Sequence, residues 1–291
     1  MTDGQPQPCP FGPGSRLWQD MGDTLFVPLT AGAFMLQAMH PTVSAALDAH
    51  SEFRTDPLGR AIRSFDSVML WVYGGQAAVE EGMRLCRLHA PIMGTGADGH
   101  RYRALDPEAY AWVHATAFVT AVTVHPLVRG RALTAREQEE LYEEMLQLGE
   151  ILMVPSRAMP QTTREYWDLY ATTVRERLAR TPVAEELLRM TRSPPLPLPE
   201  PLRTLAGPGR RTAGGLLALL MMGGMTSDAR RVLGVRWTGA HDAQLRALMA
   251  VARPVHARLP EALRYFPLAT HARRHAREVQ AMRARATVSV V

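Results

Sequence analysis

Three histidines lie among apolar neighbours in segments whose spacing predicts helices. They are His40, His89 and His114. In "EGMRLCRLHAPIMG", helical spacing directs His89 to the same side as Ala78 and Leu85. An imidazole on an apolar helix face either forms a local hydrogen bond within the core or binds a buried ligand such as a metal ion. Helical proteins hold haem iron through such a side chain, so both interpretations stay open for each histidine.

A second candidate lies in "DPLGRAIRSFDSVMLWVYG", where Arg60 and Ser64 are one helical turn apart on a partly apolar face. A guanidinium directed into such a face needs an anionic partner, because an unpaired buried charge is costly. The carboxylate of a cofactor would serve, since arginine can hold it through two parallel hydrogen bonds. Alternatively, Arg60 extends to the surface or pairs with Asp56 or Asp66.

Other catalytic signatures fit poorly. The sequence has no H-E-x-x-H, no E-x-x-H, no C-x-x-C-H, no G-x-S-x-G and no Walker-type glycine motif. These absences disfavour zinc proteases, di-iron carboxylate sites, covalently attached haem, serine hydrolases and P-loop enzymes. In "HARRH", His271 and His275 are one turn apart, but two intervening arginines and no nearby carboxylate favour a solvated basic face.

Composition is that of a globular protein with a sizeable core. The chain has 291 residues, of which 46% are hydrophobic and 21% charged, with a formal net charge of +5. The positive charge is diffuse, which disfavours nucleic-acid binding. Two cysteines, Cys9 and Cys86, cannot form a disulfide framework or a cysteine zinc site. No secretory signal is apparent, and the longest apolar run noted, 213–225, is too short to cross a bilayer. We therefore predict a cytoplasmic protein without a transmembrane segment.

Helical spacing dominates the chain, and strand signals are almost absent. Two helices carry start signals: Asp106 precedes Pro107, and Thr134 forms a capping box with Glu137. A further helix begins at Pro41, whose missing N–H costs nothing in a first turn. The remaining spacing predicts helices over 58–73, 76–92, 107–124, 134–152, 162–179 and 183–190.

A proline-rich segment divides the chain. "RSPPLPLPEPLR" holds five prolines, each incompatible with a helix interior. It predicts an extended connection over 192–203, followed by a C-terminal helical section over 204–280. The predicted organisation is a flexible N-terminal segment, 1–15, and a single large all-α domain over 16–291.

Several segments together resemble the rubber-oxygenase catalytic-domain family, which includes latex clearing proteins and an oxygenase of mycophenolic acid synthesis. They are "MLQAMHPTVSAALDAHSEFRTDPLGRAIRSF", "RLHAPIMGTGADGHRYRALDPEAYAWVHATAF" and "EILMVPSRAMPQTT". The C-terminal "RRVLGVRWTGAHDAQLRALM" and "LPEALRYFPLATHARRHA" are also similar to this family. The likeness covers roughly 14–275, and the order and spacing of the motifs are specific.

The resemblance implies an all-α fold around haem b and oxygen-dependent attack on an apolar or unsaturated substrate. The family's iron-ligating histidine corresponds to His89, and its R-x-x-[KR]-[TS] segment to Arg60, Arg63 and Ser64. Arg63 stands where latex clearing proteins carry lysine, and arginine is a poor metal ligand because it stays protonated. Rubber is therefore not the expected substrate. Asp48 is the nearest candidate for the acidic base of rubber-cleaving members, without a motif to support it.

Two hypotheses follow. In the first, the protein is a haem b oxygenase, or a peroxidase-like enzyme, acting with dioxygen or peroxide on a small apolar metabolite of bacterial secondary metabolism. His89 is then the proximal ligand, Arg60 binds a haem propionate or bound oxygen, and Ser64 is a distal hydroxyl. His40 or His114 supplies the second axial position or distal acid–base help, or replaces His89. In the second, the protein is a helical carrier of haem or a lipid without turnover. A homodimer is compatible with both.

Overall fold

The fold is almost entirely helical. A computed structural model describes residues 11–96, 99–194 and 207–288. At 207, 208, 210 and 283–288 it describes the backbone only. Helices account for 73% of the chain, around one hydrophobic core. The predicted all-α single domain is confirmed. Most of the predicted flexible segment 1–15, and 195–203 of the proline-rich connection, lie outside the described residues.

The described part of the chain contains fourteen α-helices, one short 3₁₀ turn at Ser156–Ala158 and two strands. The strands are β1, Met93–Thr95, and β2, Arg101–Arg103, which pair antiparallel with Gly94 opposite Tyr102. The helices, numbered in chain order, are α1 Arg16–Asp20, α2 Val27–Ala38, α3 Pro41–His50, α4 Pro57–Tyr73, α5 Gln76–His89, α6 Pro107–Arg129, α7 Ala135–Ile151, α8 Thr163–Glu176, α9 Pro182–Arg192, α10 Gly207–Gly223, α11 Ser227–Val232, α12 Gly239–Arg258, α13 Glu261–Arg264 and α14 Pro267–Val288.

The predicted start signals act as expected. Asp106 accepts a hydrogen bond from the backbone N–H of Ala109 at 3.0 Å, and Thr134 and Glu137 form the capping box at α7. The end of α6 differs from the prediction. The helix passes Pro126 and ends where Gly130 takes a left-handed conformation, with φ of 78°. The sequence prediction stopped it at Val124, two residues before the proline.

Helix α6 forms the centre of the domain. It packs against α2, α7, α12 and the 3₁₀ turn, and α2 in turn contacts α3, α9 and α10. Phe118 is fully buried and meets Tyr142 and Tyr166 edge-on, at 4.9 and 4.6 Å between ring centroids. Such edge-to-face pairs are favourable beyond the area they bury. The core therefore holds α6 rigidly, and α6 can position side chains of the site.

The helix α6 also meets the length and hydropathy criteria for a membrane span, which the sequence analysis did not assign to it. It has 23 residues, and 67% of its most apolar window is buried inside the protein. A core helix surrounded by protein passes the same test. The absence of a transmembrane segment stays a prediction.

The helices after the proline-rich connection pack on the main body. Helix α10 lies against α2 and α9, α12 against α6 and α10, and α14 against α4. Phe266, just before α14, meets Phe65 of α4 at 4.4 Å between ring centroids. The predicted C-terminal section is thus part of the same core.

Helices α4 and α5 form an antiparallel hairpin around Gly74 and Gly75. Gly75 has φ of 59°, a backbone conformation that favours glycine. Within the hairpin, the hydroxyl of Ser67 donates to Glu81 Oε1 at 2.6 Å. The bond joins the two helices in a register that the site depends on.

Gly82 sets the distance between α5 and α7. A methyl group on Gly82 would overlap the backbone oxygen of Ile151, at the end of α7. We expect Gly82→Ala to lower the free energy of unfolding by roughly 1–3 kcal/mol, because overpacking displaces backbone. Denaturant unfolding measures the change. The same substitution at Gly215 in α10, where the new methyl meets nothing within 4 Å, should raise stability by about 0.5–1 kcal/mol. Equal effects at both positions would contradict the close packing.

Candidate functional site

His89 is the last residue of α5 and is half-buried. Its Nδ1 lies 2.7 Å from the backbone oxygen of Leu85, one turn earlier. A carbonyl oxygen can only accept, so Nδ1 carries the proton and Nε2 keeps a free lone pair. Burial lowers the pKa of His89, and the charges of Arg60 and Arg84 lower it further, against the opposing effect of the Leu85 bond. The side chain is therefore a neutral imidazole with an available nitrogen.

Arg60 is a half-buried cation in the first turn of α4. Its Nε donates to the hydroxyl of Ser51 at 2.6 Å, and Nη1 donates to the hydroxyl of Ser64 at 2.8 Å. Among the described residues no carboxylate forms an ion pair with it. Burial lowers the pKa of Arg60, and the nearby charge of Arg63 lowers it further, yet arginine remains charged. The predicted alternative, pairing with Asp56 or Asp66, is not what the structure has.

The hairpin brings Arg60 and His89 together. Each lies 14 residues from the glycine turn, one before Gly74 and the other after Gly75, so antiparallel pairing places them at the same end. The Ser67–Glu81 bond fixes this register. The positive charge of Arg60 is close enough to lower the pKa of His89. A free imidazole nitrogen and an unpaired guanidinium thus share one end of the α4–α5 hairpin.

His114 lies elsewhere, packed between α6 and α7. It is 6% exposed, and its Nε2 donates to the backbone oxygen of Met145 at 2.6 Å. Burial lowers the pKa of His114 to about 4. No hydrogen bond or ring contact joins it to His89 within the described chain. The structure therefore gives His114 the surroundings of a core histidine.

His40 occupies a third environment. It precedes α3, is 6% exposed, and lines a cavity beside Trp112, with 6.3 Å between the ring centroids. Its Nδ1 is buried without a hydrogen-bond partner. Burial lowers the pKa of His40, so the ring is neutral. Like His114, it makes no direct contact with His89 in the described part of the molecule.

Comparison with protein families decides the relationship. The family described as "ER-bound oxygenase mpaB/B'/Rubber oxygenase, catalytic domain" matches residues 18–254. The chain belongs to this mpaB/rubber-oxygenase family. Comparisons with curated proteins and with solved structures found no match. The match spans the α4–α5 hairpin and all three candidate histidines, so membership in an oxygenase family covers the whole site.

The residues at the hairpin fit the haem that the mpaB/rubber-oxygenase resemblance implies. A haem iron takes one axial nitrogen from a histidine, and His89 Nε2 is free to supply it. The unpaired Arg60 suits an anionic group such as a propionate. Apolar side chains are also exposed at this end of the hairpin, namely Leu58, Ile62, Leu88 and Met93. No group of three or more histidine, cysteine or acidic side chains able to hold a metal ion occurs in the described residues.

The other positions of the family segment differ in exposure. Ser64 is half-buried and bound to Arg60, whereas Arg63 points outward and pairs with Glu52 and Asp56 at 2.8 and 3.0 Å. The side chain of Arg63 is 56% exposed. Asp48 is also at the surface, in an ion pair with Arg54. The geometry thus associates Ser64 with Arg60 and directs Arg63 and Asp48 to surface partners.

Two residues of the site were missed by the sequence analysis. Ser51, at the end of α3, holds the guanidinium of Arg60. Tyr110 of α6 lies beside His89, with 6.4 Å between ring centroids, and donates its hydroxyl to the oxygen of Leu152 at 2.8 Å. Helical spacing could not reveal either contact, because both join different elements of the fold.

Proposed function

We propose that this protein is a haem b-dependent oxygenase acting on a small apolar or unsaturated metabolite, with dioxygen or peroxide as co-substrate. One observation carries the proposal. His89 presents a neutral Nε2 next to Arg60, a cation that the described chain leaves without a carboxylate. Membership in an oxygenase family supports the reaction class. The haem, its ligand and the substrate are inferred.

His89 would hold the cofactor from the α5 side. Its Nδ1–H is bound to Leu85, which orients the ring and increases the basicity of Nε2. Since His89 is the last residue of α5 and its Nδ1 bonds Leu85, the imidazole lies alongside the last helical turn. Bound haem would supply the iron that activates dioxygen or peroxide. The protein contributes a fixed nitrogen and a neutral ring.

Arg60 would hold the anionic part of the site from the α4 side. Two serine hydroxyls, from Ser51 and Ser64, orient the guanidinium without neutralising it. A carboxylate placed there would gain charge-assisted hydrogen bonds and relieve an unpaired, half-buried cation. Ser64, one turn further along α4, would contribute a hydroxyl beside the same guanidinium.

We further propose that the protein acts in the cytoplasm on a diffusible small molecule, without nucleic acid. Cys86 is a free, partly buried thiol, which suits a reducing compartment. The net charge of +5 is spread along the chain.

Haem titration of the full-length protein tests the proposal. We expect a stoichiometric Soret band, and oxygen uptake that depends on an added alkene or phenol. Arg60→Gln should weaken haem binding roughly 10-fold or more, because a charge-assisted pair is lost. The matched control is Arg63→Gln, since Arg63 has surface partners only.

Failure of the full-length protein to bind haem would overturn the cofactor assignment. Stoichiometric haem without substrate-dependent oxygen uptake would identify a carrier instead. Equal effects of the Arg60 and Arg63 substitutions would remove Arg60 from the site.

A further inference from the structure

The cavity beside His40 is lined by neither Arg60 nor His89. It has a volume of about 300 Å³ and lies between the start of α6, the 3₁₀ turn and α8. Trp112 and Leu169 are among its apolar lining residues. Ligand sites start at about this volume and combine apolar walls with a few convergent polar groups. The cavity has both features.

Its polar groups fall into an inner and an outer set. The inner set is His40 and Thr173, which are 6% and 7% exposed. His40 Nε2 and the Thr173 hydroxyl make no hydrogen bond within the described residues, and neither atom is fully enclosed, so both can face the cavity, whereas His40 Nδ1 is enclosed and unpaired. Buried polar groups are normally satisfied. Two such groups at one cavity favour a ligand that carries a hydroxyl.

The outer set is charged. Arg157 and Glu108 line the cavity and reach solvent. Glu108 pairs with Arg177 at 3.3 Å, whereas Arg157 forms no ion pair with any described residue. Arg157 is therefore the free cation of the rim, and it suits a carboxylate. Asp106 and Glu108 lie at the same end of α6 and would repel a second negative charge.

The apolar part of the lining includes the ring of Trp112 beside Ala111, Ala158 and Leu169. Trp112 stacks on Tyr170 with 5.9 Å between centroids and 18° between planes. Its ring also faces His40, and Leu169 is partly exposed at 38%. A planar aromatic body fills such a space with little loss of conformational freedom.

We propose that this cavity binds a phenolic monocarboxylic acid of about hydroxycinnamate size. Its hydroxyl lies at His40 and Thr173, its ring packs beside Trp112, and its carboxylate binds Arg157. This site goes beyond the proposed oxygenase function, because binding here needs neither iron nor turnover. Ligand binding in this cavity can therefore be tested whether or not haem binds at His89.

Three probes test the assignment on the full-length protein by isothermal titration calorimetry. They are 4-hydroxycinnamate, cinnamate without the hydroxyl, and the methyl ester of 4-hydroxycinnamate without the charge. Wild-type protein should bind the first with one-to-one stoichiometry. Removing the charge should weaken binding by roughly 10- to 100-fold, and removing the hydroxyl by roughly 3- to 10-fold.

Matched variants then assign each group to its residue. Arg157→Gln should erase the difference between the acid and the ester. Arg164→Gln, an exposed arginine of α8 that does not line the cavity, should leave it unchanged. His40→Phe should erase the difference between 4-hydroxycinnamate and cinnamate. Thr173→Val removes a hydroxyl but leaves the aromatic side chains unchanged, and it should reduce the same difference. This variant tests the hydroxyl-binding end of the cavity even if His40→Phe does not fold.

Several outcomes would overturn the proposal. One is the absence of saturable binding to wild-type protein. Others are equal affinity for acid and ester, or equal effects of Arg157→Gln and Arg164→Gln. Persistence of the hydroxyl preference in both His40→Phe and Thr173→Val would remove the inner hydrogen bonds from the site. Haem binding by the same preparation does not enter any of these comparisons.

Discussion

Replacing His89 with alanine is expected to lower the affinity for haem by at least roughly 100-fold and to remove the Soret band of the reconstituted protein. The residue supplies a free imidazole nitrogen beside Arg60. Loss of a group that only orients a metal ligand costs 10- to 100-fold in affinity, so loss of the ligand itself should cost at least as much. Absorption spectra recorded during haem titration measure the change.

The fold should tolerate this substitution. His89 is half-buried at the end of a helix, and its one hydrogen bond to Leu85 is worth about 1 kcal/mol. The control is His271→Ala, because His271 is an exposed histidine of α14. Added imidazole should restore the Soret band in His89→Ala by taking the vacated position. A variant with a wild-type spectrum would instead transfer the ligand role to another histidine.

Helix positions were predictable wherever local chemistry sets them. The caps at Asp106 and Thr134 bond their own first turns, so the sequence alone locates these starts. Helix ends were less predictable. Helix α5 was expected to run to 92 but ends at His89, because β1 pairs with β2 through contacts such as Gly94 to Tyr102. That pairing joins distant parts of the chain, and helical spacing contains no signal for it.

In the candidate site, too, contacts within one helix were predictable from the sequence, and contacts between elements were not. Arg60 and Ser64 are one turn apart in one helix, so their contact was expected from spacing. The proximity of Arg60 and His89 depends on the α4–α5 hairpin. Only the family resemblance predicted that these two residues belong to one site. Ser51 and the cavity at His40 arise from tertiary packing. Such contacts have no periodic signature in the sequence.

The three histidines have similar sequence neighbours but different surroundings in the fold. Each lies among apolar neighbours, but only His89 combines a fixed Nδ1–H with a nearby cation that lacks a carboxylate. His40 lines a cavity. His114 is fully packed, with Nε2 bound to Met145. From sequence spacing all three are possible iron ligands, but the burial of His114 makes the stability of the fold depend on pH.

His114 should make the protein less stable as the pH falls from about 6.5 to 4. Burial lowers the pKa of His114 to about 4 in the folded protein, from an ordinary value of 6.5. Between these values the unfolded chain binds a proton that the folded protein excludes, so acid favours unfolding. The free energy of unfolding should fall by about 3 kcal/mol over this interval on account of His114. Denaturant unfolding at a series of pH values measures the loss.

His114→Gln isolates this contribution from the other titrating groups. Glutamine does not titrate, and its amide can donate to the oxygen of Met145 in place of Nε2. His40 and His89 also have lowered pKa values and destabilise the wild type in the same direction, but they remain in the variant. The stability difference between wild type and variant should be constant from pH 7 to 8, and by pH 4 the wild type should have lost about 3 kcal/mol relative to the variant. A constant difference across the whole range would mean that His114 takes up its proton in the folded protein as readily as in the unfolded chain.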